Sequence, residues 1–123
     1  MFKTKEFKLI VAGGRDFGDY PRLEAELMEL ANGFYTDREV SIVSGMARGA
    51  DALAVQFAKK HNVLLHEFPA DWSTGKGAGF VRNAQMATFA DGLLAFWNGE
   101  SRGTSHMIQT MSDMGKVVHI RRY

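Results

Sequence analysis

The chain has 123 residues, a formal net charge of +1 and no cysteine; 46% of its residues are apolar and 24% charged. That length fits one globular domain spanning 1–123, and the composition is not that of a disordered chain. The absence of cysteine excludes disulfides, thiolate metal sites and cysteine nucleophiles, and the near-neutral charge argues against a strongly basic nucleic-acid coat. The start, MFKTKEFK, is charged and does not read as a secretory signal. No apolar run approaches the roughly 18 residues of a membrane span. The expectation is a soluble cytoplasmic protein with no membrane partner.

Short apolar runs alternate with stretches of helical spacing. Leu9 to Ala12 is a continuous apolar run closed by Gly13-Gly14. Between Arg22 and Phe34, the residues Leu23, Leu27, Leu30, Ala31 and Phe34 recur at helical intervals. Val40 to Val43 reads as a second strand, ended by Ser44-Gly45. Ala50 to His61 reads as a helix with Leu53, Ala54, Phe57 and Ala58 on one face. Val63 to Phe68 is a third strand, stopped by Pro69. Ala78 to Ala90 follows as a helix with Val81, Ala84, Ala87 and Phe80 expected inward. Gly92 to Trp97 is a fourth strand, Thr104 to Met114 a helix carrying Met107, Ile108 and Met111, and Lys116 to Ile120 a fifth strand.

Strands joined through helices run parallel, and near-continuous apolar strands suit a sheet covered on both faces. Right-handed crossovers then predict an α/β fold: a Rossmann-like three-layer sandwich with a five-stranded, mainly parallel sheet in the order 3-2-1-4-5.

In such a sheet, ligands bind outside the carboxyl ends of the strands. Ten of the 13 glycines fall at those ends. The candidate ligand-binding residues are taken from the four loops there. They are Gly13, Gly14, Arg15 and Asp16 after the first strand, and Ser44, Gly45, Arg48, Gly49 and Asp51 after the second. Trp72, Lys76, Arg82 and Asn83 follow the third, and Gly99, Ser101, Arg102, Gly103, Thr104 and Ser105 the fourth. Glycine-rich strand-to-helix turns let a backbone approach an anion, and helix N-termini present free N–H groups. Arginine forks match phosphate oxygens. Asp16, Asp51, Asp71 and Glu100 share the rim, and this mixed charge suits a small phosphorylated ligand better than a polynucleotide track. Trp72, Phe17 and Trp97 are candidates to stack on a base, with Trp97 the one favoured for the core.

Neither the dinucleotide G-x-G-x-x-G nor the P-loop spacing stands in a strand-turn-helix context. His61, His66 and His119 read as structural, while His106 lies one turn into a helix and can face the rim. No metal-ligating cluster, cofactor motif or Ser-His-Asp arrangement is legible. Apolar residues around Met86, Phe89, Met107, Met111 and Met114 suggest a homo-oligomer of two or more copies.

Ser44-Gly45-Met46-Ala47-Arg48-Gly49-Ala50-Asp51 resembles the S-G-x-A-x-G-[AI]-D motif of DprA and related Rossmann-like proteins. The stretch from Gly79 through Arg82-Asn83, Met86, Ala90-Asp91 and Gly99 to Gly103-Thr104 resembles the second half of the LOG phosphoribohydrolases. Gly13-Gly14-Arg15-Asp16-Phe17, with Trp72 and the Gly75 to Gly79 loop, is similar to the YspA/YpsA-related branch of the SLOG superfamily. The resemblance implies a domain that binds a nucleotide or nucleotide-derived, ADP-ribose-like ligand at this rim, as a sensor or sequestering protein. It also implies an alternative, hydrolysis of an N-glycosidic bond of nucleotides. There Arg82 stands at the position of the LOG arginine. The LOG glutamates would fall at His106 and Met107, which are not carboxylates, so Asp71 or Glu100 would have to substitute. That departure shifts weight toward binding without turnover. DNA binding, by analogy with DprA, is a third and more distant alternative.

Overall fold

The computed structural model describes residues 5–123; part of the charged start, 1–4, lies outside the described residues. The chain runs β1 (Lys5–Gly13), α1 (Tyr20–Glu29), a π-helical turn (Leu30–Phe34), β2 (Arg38–Ser44), α2 (Ala50–Lys60), β3 (Leu65–Glu67), a 3₁₀ turn (Trp72–Thr74), α3 (Ala78–Phe89), β4 (Gly92–Trp97), α4 (Arg102–Asp113) and β5 (Val117–Arg122). The sheet order is β3-β2-β1-β4-β5, and every pairing is parallel. The expected order is therefore met, and the sheet is wholly rather than mainly parallel.

The continuous apolar strands serve two cores at once, because successive side chains point to opposite faces. On one face Leu9, Val11, Leu94 and Phe96 pack with Leu23, Leu27, Ala54 and Phe57 of α1 and α2. On the other, Ile10, Ala12, Leu93 and Ala95 pack with Met86, Ala87, Met107 and Met111 of α3 and α4. This makes three layers. The three methionines fill this second core and are not surplus apolar surface; Phe89 and Met114 alone of the five named are exposed.

Helix boundaries follow local chemistry. The Asp19 carboxylate accepts from the Arg22 N–H at 3.1 Å, with Pro21 in the first turn of α1. Asp51 stands in the first turn of α2 and Lys59 and Lys60 in its last, matching the helix dipole. Three expectations need correction. The helical spacing to Phe34 breaks down in the π-turn, and Phe34 is exposed. β3 is shorter than 63–68, although Leu64 and Phe68 still bond to β2 at its two ends. On α3, Val81, Ala84 and Phe80 face solvent, and the inward face is Ala78, Asn83, Met86 and Ala87. A polar residue inside that face, Asn83, misaligns any purely apolar reading of it.

Connections from β1 and β4 leave toward opposite faces. The crevice at the switch in strand order therefore opens above the carboxyl ends of β1 and β4.

Candidate functional site

Two adjoining cavities occupy this rim. The larger, about 440 Å³, lies over Ala12 and Gly13 of β1 and reaches the start of α4 at Ser101, Gly103 and Thr104. The smaller, about 380 Å³, lies between the loop after β2 and the loop after β3, and Trp72 forms part of its wall. Arg15, Ala47 and Arg82 line both, so they form the ridge between the two.

The loop after β2 is built by its own polar side chains. Ser44 Oγ donates to the Asp51 carbonyl at 3.2 Å and accepts from the Met46 N–H at 3.1 Å. Asp51 Oδ2 accepts from the Ala47 N–H at 3.3 Å. Gly49 has φ 78°, and a Cβ there would lie 2.1 Å from the Gly14 carbonyl oxygen, so only glycine fits. That carbonyl also accepts from the Ala50 and Phe17 N–H groups at 3.3 and 3.2 Å. The first two loops are thereby locked together. At Gly13 the vacancy left by a missing side chain is filled by Ala50 and Phe96, so this glycine serves packing of the layers rather than approach of an anion.

Arg82 projects from the second turn of α3. Its Nη1 donates to the Gly45 carbonyl and, at 3.5 Å, to the Phe68 carbonyl, while Nε donates to Asn83 Oδ1 at 3.0 Å. One guanidinium thus ties α3 to the ends of β2 and β3. Half-burial lowers its pKa, opposed by the nearby charge of Asp51. Asp51 itself is 6% exposed. Burial pushes its carboxyl up to about 6, against the pull of the Ala47 N–H and the positive charges of Arg82 and Arg15. A buried carboxylate in the field of two guanidiniums thus stands at the wall of the larger cavity.

At the α4 side, Ser101 caps the helix by accepting from the Thr104 N–H at 3.4 Å. Asn98 Oδ1 accepts from the N–H groups of Glu100 and Ser101 at 2.8 and 2.9 Å, shaping the turn. Asn83 Nδ2 donates to the Gly103 carbonyl at 3.3 Å and lies 3.3 Å from Nδ1 of His106. His106 stacks on Phe80 behind Asn83 and does not line either cavity.

Of the residues expected at the site, Gly13, Gly14, Arg15, Asp16, Asp51, Arg82, Asn83, Ser101, Gly103 and Thr104 line the larger cavity. Gly45, Arg48 and Trp72 line the smaller, together with Arg15 and Arg82. Lys76, Arg102 and Ser105 are exposed and line neither; Ser44, Gly49 and Gly99 act in the turns beneath. Asp71 caps the 3₁₀ turn by accepting from Ser73, and Glu100 sits on the outside of its turn, so neither carboxylate reaches a cavity. Phe17, expected as a stacking surface, is 4% exposed and stacks on Phe96 in the core at 4.5 Å. Trp97 is half-buried and donates through Nε1 to the Ser101 carbonyl at 3.1 Å.

Spacing alone misses Asn98, Ala47 and the methionine floor of Met86 and Met107. It also misses Tyr123, whose hydroxyl donates to Asp16 Oδ1 at 2.6 Å and covers Gly14. Burial and the neighbouring Asp16 push that hydroxyl up to about 12. The Asn98-Gly99 turn signal was available for Asn98; nothing local marks Tyr123, since it arrives from the far end of the chain.

Residues 7–75 match the YspA, cpYpsA-related SLOG family. The Gene 61 protein of Mycobacterium phage D29 is 40% identical over 81 residues, which are 60% of this chain and 65% of that protein. DNA processing protein A from Helicobacter pylori, described for its single-stranded DNA binding mode, superposes with a TM-score of 0.68 at 19% identity. That match covers 93% of this chain and 64% of the other. The chain thus spans just under two thirds of the length of either relative.

Proposed function

The chain belongs to the YspA, cpYpsA-related SLOG family, and on that footing we propose that it binds a nucleotide or nucleotide-derived ligand at the carboxyl rim of the sheet, as a sensor or sequestering protein. The observation that carries this reading is the crevice above β1 and β4, where Arg15 and Arg82 stand beside the N-terminus of α4. Arginine forks and free helix N–H groups both favour phosphate oxygens. Ser101, Thr104 and Asn83 supply hydroxyl and amide partners of the kind a ribose needs. Calorimetry against mono- and diphosphate nucleosides tests the reading, and lack of binding by every phosphorylated nucleoside overturns it.

A second reading, cleavage of an N-glycosidic bond, is favoured by one observation. Carboxylates do line the cavity, Asp16 and Asp51, whereas Asp71 and Glu100 do not. A carboxylate beside the anomeric carbon would stabilise an oxocarbenium-like centre, with Arg82 on the phosphate. Incubation with nucleoside monophosphates and with NAD, followed by chromatography, shows free base if this holds. A polynucleotide track fits less well, because Asp16 and Asp51 sit among the arginines of the rim.

We take the protein to be cytoplasmic, in keeping with such a ligand; no helix among the described residues is long and apolar enough to cross a membrane. Self-association, if carried by an apolar surface, would use the exposed Phe80 and Val81 of α3 rather than the buried methionines. Sedimentation of Val81→Asp against the parent chain reads this directly.

A further inference from the structure

We propose that Tyr123 is a positioning residue for Arg15: its hydroxyl takes the carboxylate of Asp16 and so leaves the neighbouring guanidinium free for an anion entering the crevice. The inference rests on the nucleotide reading above for the identity of that anion, while the device itself stands on geometry. Arg15 and Asp16 are adjacent in the loop after β1, and both line the larger cavity. A guanidinium and a carboxylate so placed offset each other's charge when they pair, and a paired fork has fewer donors for a phosphate. They do not pair here. Arg15 enters none of the ion pairs among the described residues. Asp16 Oδ1 instead accepts from the Tyr123 hydroxyl at 2.6 Å. Burial and the neighbouring Asp16 push that hydroxyl up to about 12, so it stays a donor at neutral pH.

The hydroxyl is brought there by contacts of its own. The Tyr123 N–H donates to the Trp97 carbonyl at 3.3 Å, continuing the pairing of β5 with β4. The Tyr123 ring meets the buried Phe17 edge-on, with centroids 4.9 Å apart. Beside it, the Arg122 guanidinium lies 5.3 Å from the centre of the Trp97 ring. Gly14 makes room for the bond: a Cβ there would overlap the Tyr123 hydroxyl and lie 2.6 Å from Asp16 Oδ1. Backbone and ring are thus seated without the hydroxyl, and Tyr123→Phe subtracts one hydrogen bond while the ring stays on Phe17. Arg82, the other arginine that lines both cavities, is already committed to the Gly45 and Phe68 carbonyls and to Asn83. Of the two, Arg15 is the one an anion can engage without displacing such partners.

The test has one readout that needs no ligand. The rate at which phenylglyoxal modifies Arg15 is followed by mass spectrometry in the parent chain, in Tyr123→Phe and in Tyr123→Phe with Asp16→Asn. Release of Asp16 onto Arg15 is expected to slow modification by about 3-fold, the worth of a partly exposed ion pair. Asp16→Asn, which cannot form that pair, is expected to restore the parent rate. An unchanged rate in Tyr123→Phe overturns the proposal. So does a slowed rate that Asp16→Asn fails to restore, because the effect then does not pass through Asp16. Calorimetry with ADP is the second readout, and Tyr123→Phe is expected to weaken binding by a similar factor. Equal ADP affinity in parent and variant overturns the positioning role and leaves the nucleotide reading standing. If no phosphorylated nucleoside binds the parent, the nucleotide reading falls, and the modification rates still decide the role of Tyr123.

Discussion

Arg82 and Asp51 converge on Gly45, and together they leave no room for a side chain there. A Cβ at Gly45 would lie 2.7 Å from Nη1 of Arg82 and 2.9 Å from Oδ2 of Asp51. Both contacts are to side-chain ends, which can move, and neither is to backbone. Gly45→Ala is therefore expected to fold, with stability within about 1 kcal/mol of the parent. Its effect falls on the site, because the guanidinium must leave the Gly45 carbonyl. Nucleotide affinity is expected to drop at least 10-fold. Calorimetry beside a urea titration checks both halves; an unchanged affinity would show that Arg82 does not position the ligand.

The buried carboxylate predicts an unusual pH dependence. Asp51 titrates near 3.8 when unfolded and is pushed up to about 6 when folded. Below about pH 4 both states are protonated, and no charge is buried. Between about pH 4 and 6 the folded state holds the extra proton, so stability falls as pH rises. Above about 6 the whole cost is present, about 3 kcal/mol. Glu24 works the other way, lowered from 4.5 to about 2 by Lys60 and His61, so its contribution is lost below about pH 4.5, is the same in parent and variant, and cancels in their comparison. Asp51→Asn keeps an acceptor for the Ala47 N–H and removes the charge. Urea denaturation at pH 4 and 7.5 should show the variant gaining stability at the higher pH, with the fall between pH 4 and 6 flattened. Equal slopes in parent and variant would remove Asp51 from the account.

A third prediction concerns a helix end. Lys116 Nζ, in the turn after α4, donates to the carbonyls of Ala87 and Ala90 at 2.6 and 2.7 Å and of Thr88 at 3.2 Å. These belong to the last turn of α3 and the residue after it, where carbonyls lack helical partners and the dipole favours a cation. Lys116→Met keeps the aliphatic stem and removes the ammonium. A loss of about 1–2 kcal/mol is expected in urea denaturation. Because Arg82 and Asn83 lie in the second turn of α3, away from its last turn, nucleotide affinity should change far less than stability.

Much of this molecule is legible in the chain because two periodicities agree. Apolar runs such as Leu93 to Phe96 demand cover on both faces, and the helical intervals of α1, α2 and α4 supply it. Strand order then follows from crossover handedness, and the glycine-rich loops fall on one rim. The site is legible where a residue serves it through its own loop, as with Arg15, Ser101 and Thr104. It is not legible where the neighbour comes from elsewhere. Asp71 and Glu100 are acidic and lie in the right loops, but their side chains are spent on local turns or point outward. Whether a carboxylate faces a cavity or caps a turn depends on the turn formed, which spacing does not specify. The face of α3 was displaced for a related reason: Asn83 is buried to line a cavity, and an apolar stripe cannot announce a polar member.

The glycine at the start of α4 separates binding from stability. Gly103 lines the larger cavity, and a Cβ placed on it meets nothing within 4 Å. It lies in the first turn of α4 beside the arginine and hydroxyl residues of that loop. Its carbonyl accepts from Asn83, an interaction that a side chain on Gly103 leaves intact. Gly103→Leu should therefore cost no packing, and better helix propensity should stabilise the chain by up to about 1 kcal/mol. The added side chain must occupy space that the ligand or its solvent would use. Nucleotide affinity is expected to fall at least 10-fold while the midpoint in urea stays or rises. A destabilised variant would mean that α4 starts differently. Undiminished affinity in a stable variant would move the ligand away from the α4 side of the crevice and toward Trp72 alone.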